Sequence, residues 1–267
     1  MQMPNRIYLL RVGADSNYGG FHSPIYDERF YKFIPIPDNK VLESHRVTYQ
    51  DYLWCGEPII GYMPDLIHVK GTKVKGKKEE NFLPWFVHDD PEFRTCTYGS
   101  PLFNSKLNIE KNYRLLSGLK KDDFLVFYAA FSAHDRKSSN TLDGYYLFAY
   151  FVIETESVKF KAPDALPAKL QERIRENHHF LHNRYDQIVV LGDKKRSRVF
   201  KKAVLLSLKS SDLVESNYYP CGFMRKLLKY EKALNLSSLR TLDKSVNLEA
   251  VKNYLDATSE GNIIGDT

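Results

Sequence analysis

The stretch Phe124-Leu-Val-Phe-Tyr-Ala-Ala-Phe131, answered after a polar segment by Tyr145-Tyr-Leu-Phe-Ala-Tyr-Phe-Val-Ile153, decides the fold. Each run has the length of a buried strand, is too short to cross a bilayer, and is rich in the aromatic and branched residues that suit a pleated surface. The polar residues Ser138 to Gly144 between them read as a hairpin-like connection, so the two strands are expected to pair antiparallel. Working outward, Ile7 to Val12 reads as an opening strand. It is stopped by the loop Gly13-Ala-Asp15-Ser-Asn-Tyr-Gly19-Gly20, where glycines allow positive φ and close backbone approach. Phe30 to Ile36 reads as a second strand, and Leu66 to Val69 and Leu83 to Val87 as edge strands. Gln187 to Leu191 and Ala203 to Leu208 follow as further strands.

Helical periodicity appears between and after these strands. Lys106 to Leu116 carries Leu107, Tyr113 and Leu116 on one face with Gly118 as a stop, and Leu166, Leu170 and Ile174 make Pro163 to Asn177 amphipathic. Phe223 to Ala233 and Leu248 to Leu255 read as closing helices, the last capped by Asn247. The expectation is one elaborated α+β domain over residues 1–258, with 259–267 as a loose tail.

Hydrophobic residues at 43% and charged residues at 27% describe a chain that can bury a core. The 18 Tyr and 16 Phe exceed ordinary usage; they suit a sheet-rich core and also supply faces on which bases could stack. The net charge of +6 favours a polyanionic partner only if it is clustered. Two dense segments supply clustering: Lys70 to Lys78, with Lys70, Lys73, Lys75, Lys77 and Lys78, and Lys194 to Lys202, with Lys194, Lys195, Arg196 and Arg198. Each could neutralise several phosphates. No apolar run has membrane-spanning length, and the start lacks a secretory cleavage pattern, so a cytoplasmic location is expected. Cys55, Cys96 and Cys221 are widely spaced with no paired-cysteine motif, which fits reduced thiols and offers no zinc framework.

The run Arg11-Val-Gly-Ala-Asp15-Ser-Asn-Tyr-Gly19-Gly20, then Ser23-Pro24-Ile25, then Phe33-Ile-Pro-Ile-Pro-Asp38, resembles the opening of the nucleotide modification-associated domain family, third type. His88-Asp-Asp-Pro-Glu-Phe93 is similar to that family's His-x-Asp-Pro-acidic segment, and Asp123-Phe-Leu-Val-Phe-Tyr128 to its Gly-Asp-entered strand, with Asp122 in place of the glycine. The likeness is strong to about Ile153 and looser beyond. It implies a link to base modification or to restriction of modified DNA, without implying one reaction. By analogy with small base-reading β modules, it also implies a curved, largely antiparallel sheet or partly open barrel with helices packed around it.

Within that frame the expected pocket joins the Asp15 loop, with Gly19 and Gly20, to the His88–Glu92 segment. His88, Asp90 and Glu92 alternate and would share one side of a strand, although Pro91 argues for a loop. Asp15, His88, Asp90 and Glu92 are the candidates for acid–base or hydrolytic chemistry, while the same groups could instead only accept hydrogen bonds from a base. Tyr98, Tyr128 and His178 are expected to line the pocket. His178, His182 and Asp186 fall at four-residue spacing, but Asn177 and Asn183 favour helix termination there, so no metal site is expected and no cofactor is named. Gly-x-Gly-x-x-Gly, Walker and Gly-x-Ser-x-Gly motifs are absent, which removes dinucleotide folds and serine hydrolases. The expected partner is nucleic acid, DNA before RNA, with a modification or restriction enzyme as a possible protein partner and no membrane. A scaffold that holds such an enzyme by its basic surface is the third class.

Overall fold

In a computed structural model of the chain, the two deciding runs form the middle of a mixed sheet. The structure describes residues 6–13, 22–38, 47–62, 66–67, 80–81, 86–101, 111–134, 142–160, 166–175, 177, 180, 187–209, 218–234 and 240–261. In chain order the strands are β1 (Ile7–Arg11), β2 (Ser23–Ile25), β3 (Ile36–Asp38), β4 (Leu53–Trp54), β5 (Glu57–Pro58), β6 (Leu66–Ile67), β7 (Glu80–Asn81), β8 (Phe86–His88), β9 (Thr97–Pro101), β10 (Phe124–Ala133), β11 (Gly144–Val152), β12 (Val158–Phe160), β13 (Gln187–Leu191), β14 (Arg198–Lys209), β15 (Tyr218–Pro220) and β16 (Arg240–Thr241). The α-helices are α1 (Lys111–Leu116), α2 (Ala168–Ile174), α3 (Gly222–Leu228) and α4 (Leu248–Thr258).

The main sheet has the order β15-β14-β11-β10-β1-β16, with β2 also on β10. β10 and β11 pair antiparallel from Phe124↔Val152 to Phe131↔Gly144, as the hairpin reading requires. β1 and β2 run parallel to β10, which makes the sheet mixed at that edge. It curls into a half-barrel, giving an α+β fold with a partly open barrel. The register shifts between Phe127 and Tyr128, at Tyr145/Tyr146 and at Leu147/Ala149 are the local source of curvature, because a bulge bends its strand and sharpens the twist. Gly144 permits the closest approach: a Cβ there would lie 2.3 Å from the Ser207 carbonyl oxygen.

Alternation gives β10 and β11 two buried faces. On one, Phe127, Phe131, Phe148 and Phe151 pack on Phe33, Trp54 and Phe93, with Phe33 stacked on Phe148 at 4.7 Å between ring centroids. The second sheet, β12-β13-β9, covers part of this layer with Ile188 and Val190 and turns Val189 and Leu191 toward Ile174 of α2. On the other face, Leu9, Phe124, Val126, Tyr128 and Tyr150 lie under Met224 and Leu228 of α3 and Val251 and Leu255 of α4. Asn247 caps α4 by accepting from the Ala250 amide at 3.0 Å.

Some element bounds differ from the periodicity. Phe30 to Ile36 is not a continuous strand. Tyr31 bridges Ile25, and the ladder resumes only at Ile36, because Pro35 cannot donate. Phe33 and Ile34 are nevertheless fully buried. α2 starts only at Ala168, after Pro167 at its N-cap. β14 starts at Arg198, so half of the second basic segment is strand rather than loop. Within that strand Lys202 is buried and pairs with both Glu28 and Glu260 at 2.9 Å. Among the described residues, no helix is long and apolar enough to cross a membrane.

Candidate functional site

β8 ends at His88, which pairs with Ile36, and the chain then turns through a cis Asp90–Pro91 bond. Glu92 and Thr97 close the turn with reciprocal backbone bonds of 2.9 and 3.0 Å. The Glu92 carboxylate lies inside it, accepting from the Arg94 and Thr95 amides at 2.8 Å each and from the Thr95 hydroxyl. Asp90 Oδ1 accepts from the Gly99 amide at 2.9 Å and from Asn177 Nδ2 at 3.0 Å, and the same amide reaches Thr97 Oγ1 at 3.1 Å. Asp90, Glu92, Thr95, Thr97 and Asn177 are all buried. This is a polar network saturated by its own neighbours, and its work is to hold the turn against β9 and the chain after α2.

Asp89 stands apart. It is half-buried, as is His88, and its Oδ1 accepts from the Tyr52 hydroxyl at 3.0 Å. Burial, reinforced by the charge of Glu92 and opposed by the Tyr52 hydrogen bond, raises its carboxyl to about 7. A carboxyl in that range can hold or give up a proton near neutrality, the property general acid–base work requires. The Tyr52 phenol is pushed well above its ordinary value by burial and by Asp89, so it stays a neutral donor.

The basic hairpin between β13 and β14 abuts this turn. The Gly192 amide donates to Cys96 O at 2.8 Å, and Arg173 of α2 donates to Thr95 O at 3.4 Å and pairs with Glu154. A concavity of about 320 Å³ lies beside them, lined by Glu154, Arg173, Asp193, Lys194 and Lys195. Lys194 and Lys195 are exposed. Arg196 is occupied by Asp122 and Asp193 at 2.6 and 2.7 Å, and Arg198 donates to the Lys195 and Ser197 carbonyls. The structure therefore splits this segment into two exposed lysines and two arginines engaged in shaping the hairpin.

Tyr98 packs on Phe127 in the layer above the turn, 6.0 Å between centroids. Tyr128 points to the opposite face of the sheet, fully buried, with its hydroxyl toward Leu234 O at 3.4 Å. The two tyrosines expected in one pocket are thus separated by the sheet itself. On the Tyr128 side lie two arginines that carried no sequence signal as a pair. Arg11, the ladder partner of Tyr128, sits over the Tyr145 ring at 4.7 Å, and Arg240 sits beside Tyr230 at 5.7 Å and donates to its hydroxyl. Tyr145 in turn packs on Tyr218 at 4.3 Å.

Asp15, Gly19, Gly20, His178, Lys70, Lys73, Lys75, Lys77 and Lys78 lie outside the described residues. Among the described residues, no group of three or more His, Cys, Asp or Glu is placed to hold a metal ion. Burial raises the Cys55 and Cys96 thiols to about 12, so neither is a thiolate at neutral pH. The sequence reading overlooked Tyr52 as the partner of Asp89, and only the fold shows that Asp89, not Asp90 or Glu92, escapes the framework.

With this geometry in place, comparison with known proteins adds one match. A family model described as nucleotide modification associated domain 3 matches residues 6–251. No curated protein and no solved structure matches the chain.

Proposed function

Because the chain belongs to the nucleotide modification associated domain 3 family, we propose that it recognises or processes a nucleotide of DNA within a modification or restriction system, at the His88–Glu92 turn. The observation that supports this reading is the Tyr52–Asp89 pair. It is the one carboxyl of the acidic run left out of the Asp90–Asn177 and Glu92–Thr95 framework, and its proton is exchangeable near neutrality. In the protonated form Asp89 can donate to a base edge or a leaving atom; in the ionised form it can accept from an exocyclic amino group or withdraw a proton. His88 adjoins it on the same turn. Lys194 and Lys195 supply phosphate contacts from the neighbouring hairpin, and the Asp15 loop with Gly19 and Gly20 completes the pocket in this reading.

The test uses oligonucleotides carrying canonical and modified bases, with binding and base chemistry followed in parallel over pH 5.5 to 8.5. Wild-type protein should discriminate among bases, or convert one, with a pH dependence centred near 7. Asp89→Asn should cost that discrimination or turnover on the order of 100-fold while leaving salt-dependent backbone binding intact. Base selectivity or turnover equal to wild type in a folded Asp89→Asn protein would remove the turn from the functional account.

A further inference from the structure

The face of the main sheet opposite the acidic turn holds a charge without a counter-charge. Arg240 belongs to β16 and pairs with Leu9, whose side chain lies in the core beneath α3 and α4, so its own side chain is carried to that face. One guanidinium nitrogen, Nη1, donates to the Tyr230 hydroxyl. Nε and Nη2 are buried and make no well-aligned hydrogen bond among the described residues, although the Tyr128 hydroxyl lies close enough to the guanidinium to interact with it. Arginine cannot shed its proton to escape burial, so donors of a permanent cation are held away from water with neutral phenols and no carboxylate among the described residues as neighbours. Buried donors are rarely left so, and an unanswered charge costs more than an unanswered amide.

The surroundings say which anion. The planar guanidinium fork matches two oxygens of a phosphoryl group. Arg11, at the carboxyl end of β1, adds a second guanidinium over Tyr145, and its ladder partner Tyr128 feels the charge of both arginines. Tyr218 and Tyr230 are half-buried and border the cluster with aromatic rings, the kind of side chain against which bases stack. Arg11 is the last residue of β1, opposite Tyr128 in the middle of β10. Ser207, the ladder partner of Tyr145, also carries a buried hydroxyl with no hydrogen-bond partner among the described residues.

We propose that Arg240, with Arg11 and the tyrosines beside it, forms a second site on this face that binds the phosphoryl group of a nucleotide bearing a terminal 5′-phosphate. The ligand can reach the site as a free nucleoside 5′-monophosphate or as the 5′-phosphorylated end of a strand. The site is separated from Asp89 by the sheet, so the two readings stand or fall separately.

The experiment is calorimetric titration and thermal melting of the full chain with a nucleoside 5′-monophosphate, the unphosphorylated nucleoside, and one single-stranded oligonucleotide with either a 5′-phosphate or a 5′-hydroxyl. The phosphorylated ligand should bind and raise Tm, the nucleoside should not, and Arg240→Gln should weaken binding by about tenfold or more. Arg240→Lys, which keeps the charge but loses the fork, should fall between, and it carries the test if the Gln variant does not fold. Asp89→Asn, whose own turn would read the base and not a terminal phosphate, should keep the preference for the phosphorylated over the unphosphorylated ligand. A preference for the 5′-phosphorylated oligonucleotide over the free monophosphate assigns the site to strand ends, and the reverse preference assigns it to free nucleotide. Failure of the wild-type chain to bind either phosphorylated ligand at millimolar concentration overturns the proposal, as does undiminished binding by a folded Arg240→Lys or Arg240→Gln protein.

Discussion

The two faces of the main sheet treat charge in opposite ways. On the face covered by the β12-β13-β9 sheet, the carboxylates of Asp90 and Glu92 are buried but saturated, each accepting at least two hydrogen bonds from the turn, β9 and Asn177. On the face covered by α3 and α4, Arg240 is left with two buried donors that find no well-aligned partner among the described residues. A saturated buried charge is part of the framework, and removing it breaks the framework; an unsaturated one is a cost the fold carries without return, and removing it relieves the fold. The difference teaches that charge density in the sequence is a poor guide to function. The acidic run drew attention because it is dense, yet two of its three carboxylates are architecture. Arg240, in the two-residue strand β16 and far from the acidic run in sequence, is where buried donors without a well-aligned partner among the described residues remain.

Mutations can break or sharpen this contrast. The largest effect is expected for Asp90→Ala, which strands the Gly99 amide and the Asn177 side chain in a buried site; denaturant unfolding should report a loss of about 3 kcal/mol. Asp89→Asn should act in the other direction and depend on pH. The Asp89 carboxyl takes up a proton at about 7 in the folded protein and at the ordinary 3.8 when exposed, so its contribution favours folding fully only below 3.8 and is lost progressively as pH rises from there through 7. The Asn variant should therefore exceed wild type by about 2 kcal/mol at pH 8, after allowance for partial solvent screening, and that advantage should shrink as pH falls below 7 and vanish only below about pH 4. Equal pH profiles for the two proteins would mean that Asp89 titrates like an exposed carboxyl.

Arg240→Gln should be neutral or stabilising by about 1 kcal/mol without ligand, in contrast to Asp90→Ala, because removing a buried charge that lacks a carboxylate partner offsets the lost contact with Tyr230. A loss as large as that of Asp90→Ala would place Arg240 in the framework too. The smallest stability effect, within about 0.5 kcal/mol, is expected for Lys194→Ala with Lys195→Ala, since both side chains are exposed. Their readout is the salt dependence of DNA binding, whose log–log slope should flatten by about 1 to 2, whereas Arg196→Ala should loosen the hairpin through its lost pairs with Asp122 and Asp193.

Much of the architecture could be read from local pattern. The apolar runs of β10 and β11 announce buried strands and the polar link between them announces the antiparallel pair, because period and length act within a few residues. Asn247 marked the start of α4 for the same reason. The parallel pairing of β1 with β10 could not be read, since it joins residues more than a hundred positions apart with nothing local to specify direction. Nor could the start of β14 at Arg198, where a strand incorporates basic residues that composition alone assigns to a loop.

The sequence by itself determined the class of fold, the family likeness and the identity of the acidic turn, because each rests on residues adjacent in the chain. Only the tertiary structure decided which of those acids is spoken for. Hydrogen-bond saturation depends on partners such as Asn177 and Tyr52 that lie far away in sequence, and it was the fold that set Tyr128 and Tyr98 on opposite sides of a sheet and brought Arg11 and Arg240 to one. Pairing over such distances is fixed by packing and strand direction, which no short stretch of residues encodes.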